Sequence, residues 1–316
     1  MINFSFLKKN PLSKGLQTYS CVLVCGALLA GCHHSETGGV LNPKGLIAKT
    51  ENEILFSAVG IMLLVVIPVI VMSFIFAYRY RATNKNHPSY QPTWSHSVLL
   101  EAIWWGIPCI IIVVLSVITW NSTHKLDPYQ PFKETFQMEG KPLRIDAVSL
   151  EWKWLFIYPE QNIATINHIN IPKDREIEFW ITSEAPMSSF FIPQLGSQIY
   201  SMAGMRTKLH LIANETGQFE GLNSQYNGDG FSHMRFNVDV TDSVHFDQWV
   251  KSVKHSPKNK KLTRSLYCSQ LLEKSIKHPS TFYSSVDEPN KMFHRIMAQY
   301  MKPDNQYCES IVKLKP

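Results

Sequence analysis

Residues 54–77 read ILFSAVGIMLLVVIPVIVMSFIFA and residues 102–120 read AIWWGIPCIIIVVLSVITW, and neither run holds a charged side chain. At a rise of about 1.5 Å per residue, each can cross roughly 30 Å of hydrocarbon as a helix. A core helix of a soluble protein is shorter and apolar on one side only. The runs predict transmembrane helices at 54–78, with Pro68 inside, and at 98–120, where Glu101 lies near the start and Trp104, Trp105 and Trp120 suit the two interfaces. The loop between them, 79–97, carries Arg79, Arg81 and Lys85 and no acid. The positive-inside rule places that loop in the cytoplasm and both flanks in the periplasm.

Working outward, the whole chain has 316 residues, 45% hydrophobic and 18% charged, which predicts a folded protein with a sizeable core. The two charge-free runs exclude a purely soluble enzyme. The formal charge of +6 is unevenly spread: Lys8, Lys9 and Lys14 stand before the first helix, and 13 Lys/Arg oppose 5 Asp/Glu from Lys251 to Pro316. Residues 32–250 are therefore acidic, which argues against a nucleic-acid reader.

The three N-terminal lysines precede an apolar stretch, Cys21–Ala30, that is too short to span a bilayer and reads as an export signal. It ends in Leu29-Ala30-Gly31-Cys32, which resembles the bacterial lipoprotein signal, whose cysteine is lipidated on sulfur before cleavage. On that resemblance 1–31 is removed, Cys32 carries the lipid and 32–53 is a periplasmic N-terminal segment; the alternative is an ordinary secretory signal with a chance cysteine. Lipid attachment takes place outside the membrane, the side the loop charges also require. Cys21 and Cys25 then leave with the signal and Cys109 lies in the second apolar run, so Cys268 and Cys308 remain to pair.

From Asn121 the composition turns water-soluble, through a linker at 121–139 that contains Pro128 and Pro131. Apolar residues then alternate with polar ones: Ile177, Phe179 and Ile181; Leu209 and Leu211; Phe236, Val238 and Val240. Strands with one wet face, separated by Pro172-Lys173-Asp174, Gly196-Ser197 and Asn214 to Gly217, predict an antiparallel sandwich or barrel over 140–245. Residues 246–316 read as a more polar arm with short helices at 246–253, 266–276 and 289–301.

Two helices followed by a periplasmic β-domain resemble subunit 2 of the haem-copper terminal oxidases. Ser149-Leu150-Glu151-Trp152-Lys153-Trp154 is similar to the aromatic strand of that family. Ser189-Phe190-Phe191-Ile192-Pro193-Gln194-Leu195-Gly196 is similar to the segment that in cytochrome c oxidases begins with a copper-binding histidine. The run 187–214 and Trp94-Ser95-His96-Ser97 resemble the bo-type ubiquinol oxidase branch, while the last 66 residues match the family's arm only loosely. The resemblance implies a cupredoxin-like sandwich behind a transmembrane hairpin.

In the cytochrome c branch a dinuclear copper centre takes an early histidine and then Cys-x3-Cys-x3-His-x2-Met from one loop, because bridging thiolates and other soft ligands hold copper. Here those positions are Ser188, Asn223, Asn227, Phe231 and Met234, with the spacing kept. No cysteine lies between Cys109 and Cys268, so neither that centre nor a blue-copper site is expected in the sandwich. Met234 retains ligand chemistry but reads as core packing, and His168, His210 and His233 read as satisfied or exposed histidines.

Without copper a soluble haem donor has nothing here to reduce, so the resemblance implies ubiquinol as donor. It implies oxidation on subunit 1, which carries the haems and the haem-copper pair, with further small membrane subunits beside it and no cofactor on this chain. The expected location is the bacterial inner membrane, in contact with its lipids. Glu101 matches a glutamate at the mouth of the proton channel in bo-type oxidases; its plainer reading is an interfacial acid at the positive end of a helix dipole. Two other readings stay open: a free-standing lipoprotein whose sandwich binds a small ligand or an envelope protein, and subunit 2 of a cytochrome c oxidase.

Overall fold

The computed structural model describes residues 39–81, 93, 95–132, 140–184, 186–274, 277–301 and 307–308. The expected signal at 1–31, Cys32, Lys85, Trp94 and residues 133–139 of the expected linker lie outside them.

Helix α1 runs Leu46–Arg79 and helix α2 runs Val98–Lys125. Their lengths, about 51 and 42 Å at the helical rise, exceed the hydrocarbon layer. Both pass as candidate spans, with mean hydropathy of 3.0 and 2.4, and their apolar side chains stand exposed. Each helix is longer than its apolar run. Helix α1 starts eight residues before Ile54 because its first turn is part of the sandwich: Ile47 and Ala48 are buried, Ile47 packing with Phe132 and Ile212. The Lys44 and Gly45 N–H groups donate to the Gln194 carbonyl, and Ala48 N–H donates to that of Leu195. A Cβ on Gly45 would lie 2.5 Å from the Ile212 carbonyl oxygen, so this junction needs a glycine. Helix α2 continues past Trp120 to Lys125, which shortens the expected linker. Asn121 to Lys125 contain no Gly or Pro, and the chain turns only at Asp127-Pro128.

Among the described residues twelve strands follow: β1 (Leu143–Leu150), β2 (Lys153–Tyr158), β3 (Ile163–Ile166), β4 (His168–Pro172), β5 (Ile177–Ser183), β6 (Ser188–Phe191), β7 (Ile199–Ser201), β8 (Thr207–Leu211), β9 (Gly217–Asn223), β10 (Arg235–Thr241), β11 (Lys260–Leu262) and β12 (Thr281–Val286). One sheet has the order β11-β12-β3-β2-β1-β5-β8 and the other β4-β10-β9-β6-β7. The architecture is thus two long helices, a two-sheet cupredoxin-like sandwich and a partly helical arm.

The expected all-antiparallel pairing is corrected, since β1 with β5, β4 with β10 and β11 with β12 run parallel. The change of sheet between β3 and β4 explains how β4 comes to lie beside β10. Asn167 at that corner is left-handed, with φ 52°, a conformation its short polar side chain tolerates. Its N–H donates to the Trp154 carbonyl, its side-chain oxygen accepts from Trp154 N–H, and its own carbonyl accepts from Asn237 N–H. One residue therefore joins both sheets.

Between the sheets Trp154, Phe156, Phe179, Phe190 and Phe236 pack with ring centroids 5.0–6.4 Å apart. Gly221 gives them room, since a Cβ there would stand 2.0 Å from the Phe236 ring. Helix α3 (Ser243–His255) is capped by the Asp242 carboxylate and puts Phe246, Val250 and Val253 into this same core. The core of the sandwich therefore extends beyond residue 245.

The arm forms a second core on the opposite face of the larger sheet. Val148, Leu150, Leu155, Ile157, Ala164 and Ile166 meet Tyr267, Leu271, Tyr283, Met292, Phe293 and Ile296. Burial on both faces explains why β1 to β3 lack a polar alternation. The helical part of the arm is a turn at Arg264–Leu266 leading into π-helical Tyr267–Leu271, followed later by α4 (Pro289–Ala298). Strands β11 and β12 extend the larger sheet, where the sequence predicts only short helices. Cys268 and Cys308 are disulfide-bonded, with Cα atoms 5.4 Å apart.

Candidate functional site

The five positions that match the copper-ligand spacing lie at one end of the sandwich, where β6 starts, β9 ends and the 224–234 loop returns to β10. Three of them converge. Ser188 Oγ accepts from Ser149 Oγ at 2.8 Å and from Asn227 Nδ2 at 3.1 Å, and Asn227 Nδ2 also lies 3.2 Å from Met234 Sδ. Met234 is fully buried, and among the described residues the Asn227 side-chain oxygen has no hydrogen-bond partner.

The other two positions do different work. Asn223 serves the backbone: its Oδ1 accepts from Ser189 N–H at 2.8 Å and Gln225 N–H at 3.1 Å, and its Nδ2 donates to the Gln225 carbonyl. Phe231 is half-buried in a 3-10 turn and packs against Tyr226, with ring centroids 5.7 Å apart. The loop is further held by Trp152, at the β1–β2 turn with φ 56°, whose indole N–H donates to the Asn227 carbonyl. Gly230 packs so close to that indole that a Cβ would come within 2.3 Å of it.

This set offers a hydroxyl, an amide and a thioether, with no thiolate to bridge two metals and no imidazole. It does not fit a dinuclear copper centre, which needs both. Among the described residues no group of three or more His, Cys, Asp or Glu side chains is placed to hold a metal ion. His233 is exposed beside Met234. His168 stands 3.4 Å from Asp239, and burial lowers its pKa while Asp239 opposes the shift. His210 is buried on β8 with Nδ1 2.7 Å from Glu176, which also accepts from Phe132 N–H at 3.0 Å. Alternation alone placed His210 on a wet face; the Pro128 segment covers it, its carbonyl accepting from His210 N–H.

Glu101 lies in the first turn of α2, half-exposed, with its N–H bonded to the Ser97 carbonyl. Among the described residues it is far from the sandwich in sequence and makes no side-chain hydrogen bond or ion pair that ties it to the loop cluster.

The COX aromatic-rich-motif family matches residues 257–304, the arm. Cytochrome bo(3) ubiquinol oxidase subunit 2 of Pseudomonas aeruginosa is 50% identical over 86% of this chain and 78% of that protein. The chain belongs to the ubiquinol oxidase subunit 2 family. Ubiquinol oxidase subunit 2 of Acetobacter aceti is 43% identical, over 86% of this chain and 85% of the relative, and quinol oxidase subunit 2 of Bacillus subtilis is 36% identical, over 79% and 75%. Among solved structures, the periplasmic domain of subunit II of cytochrome oxidase from Bradyrhizobium japonicum is 23% identical with a TM-score of 0.35, covering 36% of this chain and 96% of that one. As a subunit 2 with two apolar helices, the chain is a membrane protein with a periplasmic domain and a component of a respiratory oxidase. The matched arm is the region whose sequence carried the loosest resemblance.

Proposed function

We propose that this chain is the copper-free subunit 2 of a proton-pumping ubiquinol oxidase, in which ubiquinol is oxidised to ubiquinone and oxygen is reduced to water on subunit 1. The observation that carries the reading is the Ser188–Asn227–Met234 contact: the ligand positions bond to one another through neutral groups. No electron passes through such a set. The haems and the haem-copper pair belong to subunit 1, and further small membrane subunits complete the assembly. This chain anchors and caps the complex, through α1 and α2, a lipid on Cys32 and the sandwich whose floor grips the start of α1. Glu101, near the cytoplasmic end of α2, collects protons for the oxygen-reducing centre.

Copper and haem analysis of the purified complex tests the reading. The expected result is a single copper per complex, that of the haem-copper pair, and no near-infrared band from a dinuclear centre. Two further copper atoms that remain with this chain after the complex is dissociated would overturn it.

A further inference from the structure

The sheet face that carries the arm also carries a cluster of charges centred on Trp180. Strand register assembles it. Asp146, Trp180 and Lys208 are cross-strand partners on β1, β5 and β8, and Arg144 and Glu178 fill the next row of the same face. The Arg144 guanidinium lies 3.5 Å from the indole centroid, that of Arg206 4.3 Å and the Lys208 ammonium 5.3 Å, as cations do over an aromatic face. From α4 the exposed His294 brings its ring centroid to 5.8 Å from the same indole.

Two of the cations are matched within the cluster. Arg144 donates to both oxygens of the buried Asp146, at 2.7 and 2.9 Å, and Lys208 pairs at 3.0 Å with Glu178, which also accepts from the Trp180 indole N–H at 2.7 Å. Arg206 differs from both. It is exposed, and among the described residues it makes no ion pair and its N–H groups no hydrogen bond. Three permanent cations thus face two carboxylates. The excess reaches His294, whose pKa is lowered by burial first and then by the Arg144 and Arg206 guanidiniums. A guanidinium resting on an aromatic face keeps its N–H edge for a carboxylate, which it takes through two parallel bonds.

The surface beside Arg206 is apolar. Met205 is exposed, and Gly204 packs on Tyr300 of the arm so closely that a Cβ there would lie 3.3 Å from the Tyr300 Cβ. Tyr300 and Met301 are exposed in turn, and β8 is an edge strand of its sheet. Arginine, tryptophan, tyrosine and methionine are the side chains enriched where proteins meet. A small inorganic anion would answer the charge and leave these apolar groups in water, whereas an acidic protein segment covers both.

We propose that Arg206, held on Trp180, is the docking point for a second polypeptide, an acidic segment whose aspartate or glutamate takes the guanidinium edge while a neighbouring apolar side chain covers Met205 and Tyr300. The inference is independent of the copper-free reading.

Site-specific photocrosslinking in native membranes tests it, with a benzoylphenylalanine placed at Met205 of the full-length chain. Irradiation should join this chain to another protein, and sequencing of the joined peptide should find an aspartate or glutamate close to the link. Arg206→Gln should lower the yield about tenfold, the loss expected for one charge-assisted contact, and Arg206→Lys less, because it keeps the charge without the fork. Arg206→Glu should abolish the product, and exchanging the partner's acid for lysine should restore it. Arg206 lies outside both cores, and haem copurified with the chain verifies that each variant has assembled. No protein product from the wild-type chain, a product only with lipid or with a second copy of this chain, a joined peptide without an acid, or a yield unchanged in Arg206→Glu would each overturn the proposal.

Discussion

Replacing both Cys268 and Cys308 by serine should loosen the arm without undoing the sandwich. The bond joins residues 40 apart in sequence. In the chain-entropy account, closing a loop of that size disfavours the unfolded arm by about 4 kcal/mol at most. The apolar contacts of Tyr267, Leu271, Met292, Phe293 and Ile296 with the outer face of the sheet remain, so the arm stays docked in the ground state. What changes is how often it opens, by up to about three powers of ten for that free energy. Amide hydrogen exchange of the full-length chain in detergent reads this directly. Exchange should accelerate in β12, the arm strand paired to β3, while β5 and β10 in the body of the sandwich keep their rates. Unchanged exchange in β12, with loss of the bond verified by mass, would refute the argument that the disulfide rather than packing limits opening. Equal acceleration throughout the chain would refute the separation into two cores.

Three further outcomes are expected. Burial pushes the Glu184 carboxyl up to about 7, against the hydrogen bond that the Gln299 side-chain amide donates to it. The folded state therefore holds this proton more tightly than the unfolded one, and the stability it contributes is present below pH 4.5 and lost as pH rises through about 7. Glu184→Gln should flatten the melting profile between pH 5 and 8 by at most about 3 kcal/mol, leaving the smaller slope of the same sign from Asp146, raised by burial to about 6; an identical profile would contradict it. Gly221→Ala forces a methyl into the Phe236 ring and should cost about 1–3 kcal/mol, seen as a lower thermal midpoint; an unchanged midpoint would show that the aromatic core yields freely. Glu101→Ala should slow oxygen consumption per haem several-fold in fully assembled oxidase and Glu101→Asp less so, whereas equal rates across pH 6 to 9 would leave Glu101 an interfacial residue.

Where a property follows from neighbours in sequence, reading the chain was enough. The two apolar runs each satisfy every backbone group inside one helix, so their existence needs no partner. The alternation in β10 and at the start of β5 reports a sheet face directly, and the residue types at Ser188, Asn223, Asn227, Phe231 and Met234 decide which metals those positions can hold before any geometry is known. Helix ends were less legible, because the first turn of α1 exists as sandwich surface, and its contacts with Gln194 and Leu195 are almost 150 residues away.

The same distinction separates the remaining features. Sequence by itself determined the two membrane helices, the β-domain behind them, the residue types at the five positions of copper-ligand spacing and, through the count of cysteines, the pair available for a bond. Only the tertiary structure decided that β1 pairs parallel with β5, that the arm adds two strands and a second core, that His210 is buried on Glu176, that Ser188, Asn227 and Met234 meet and that the helices and sandwich floor form a cleft. Each of these depends on which distant surfaces meet. Hydrogen bonds and apolar contacts reward such meetings only after the intervening chain has closed, and no local periodicity records that closure.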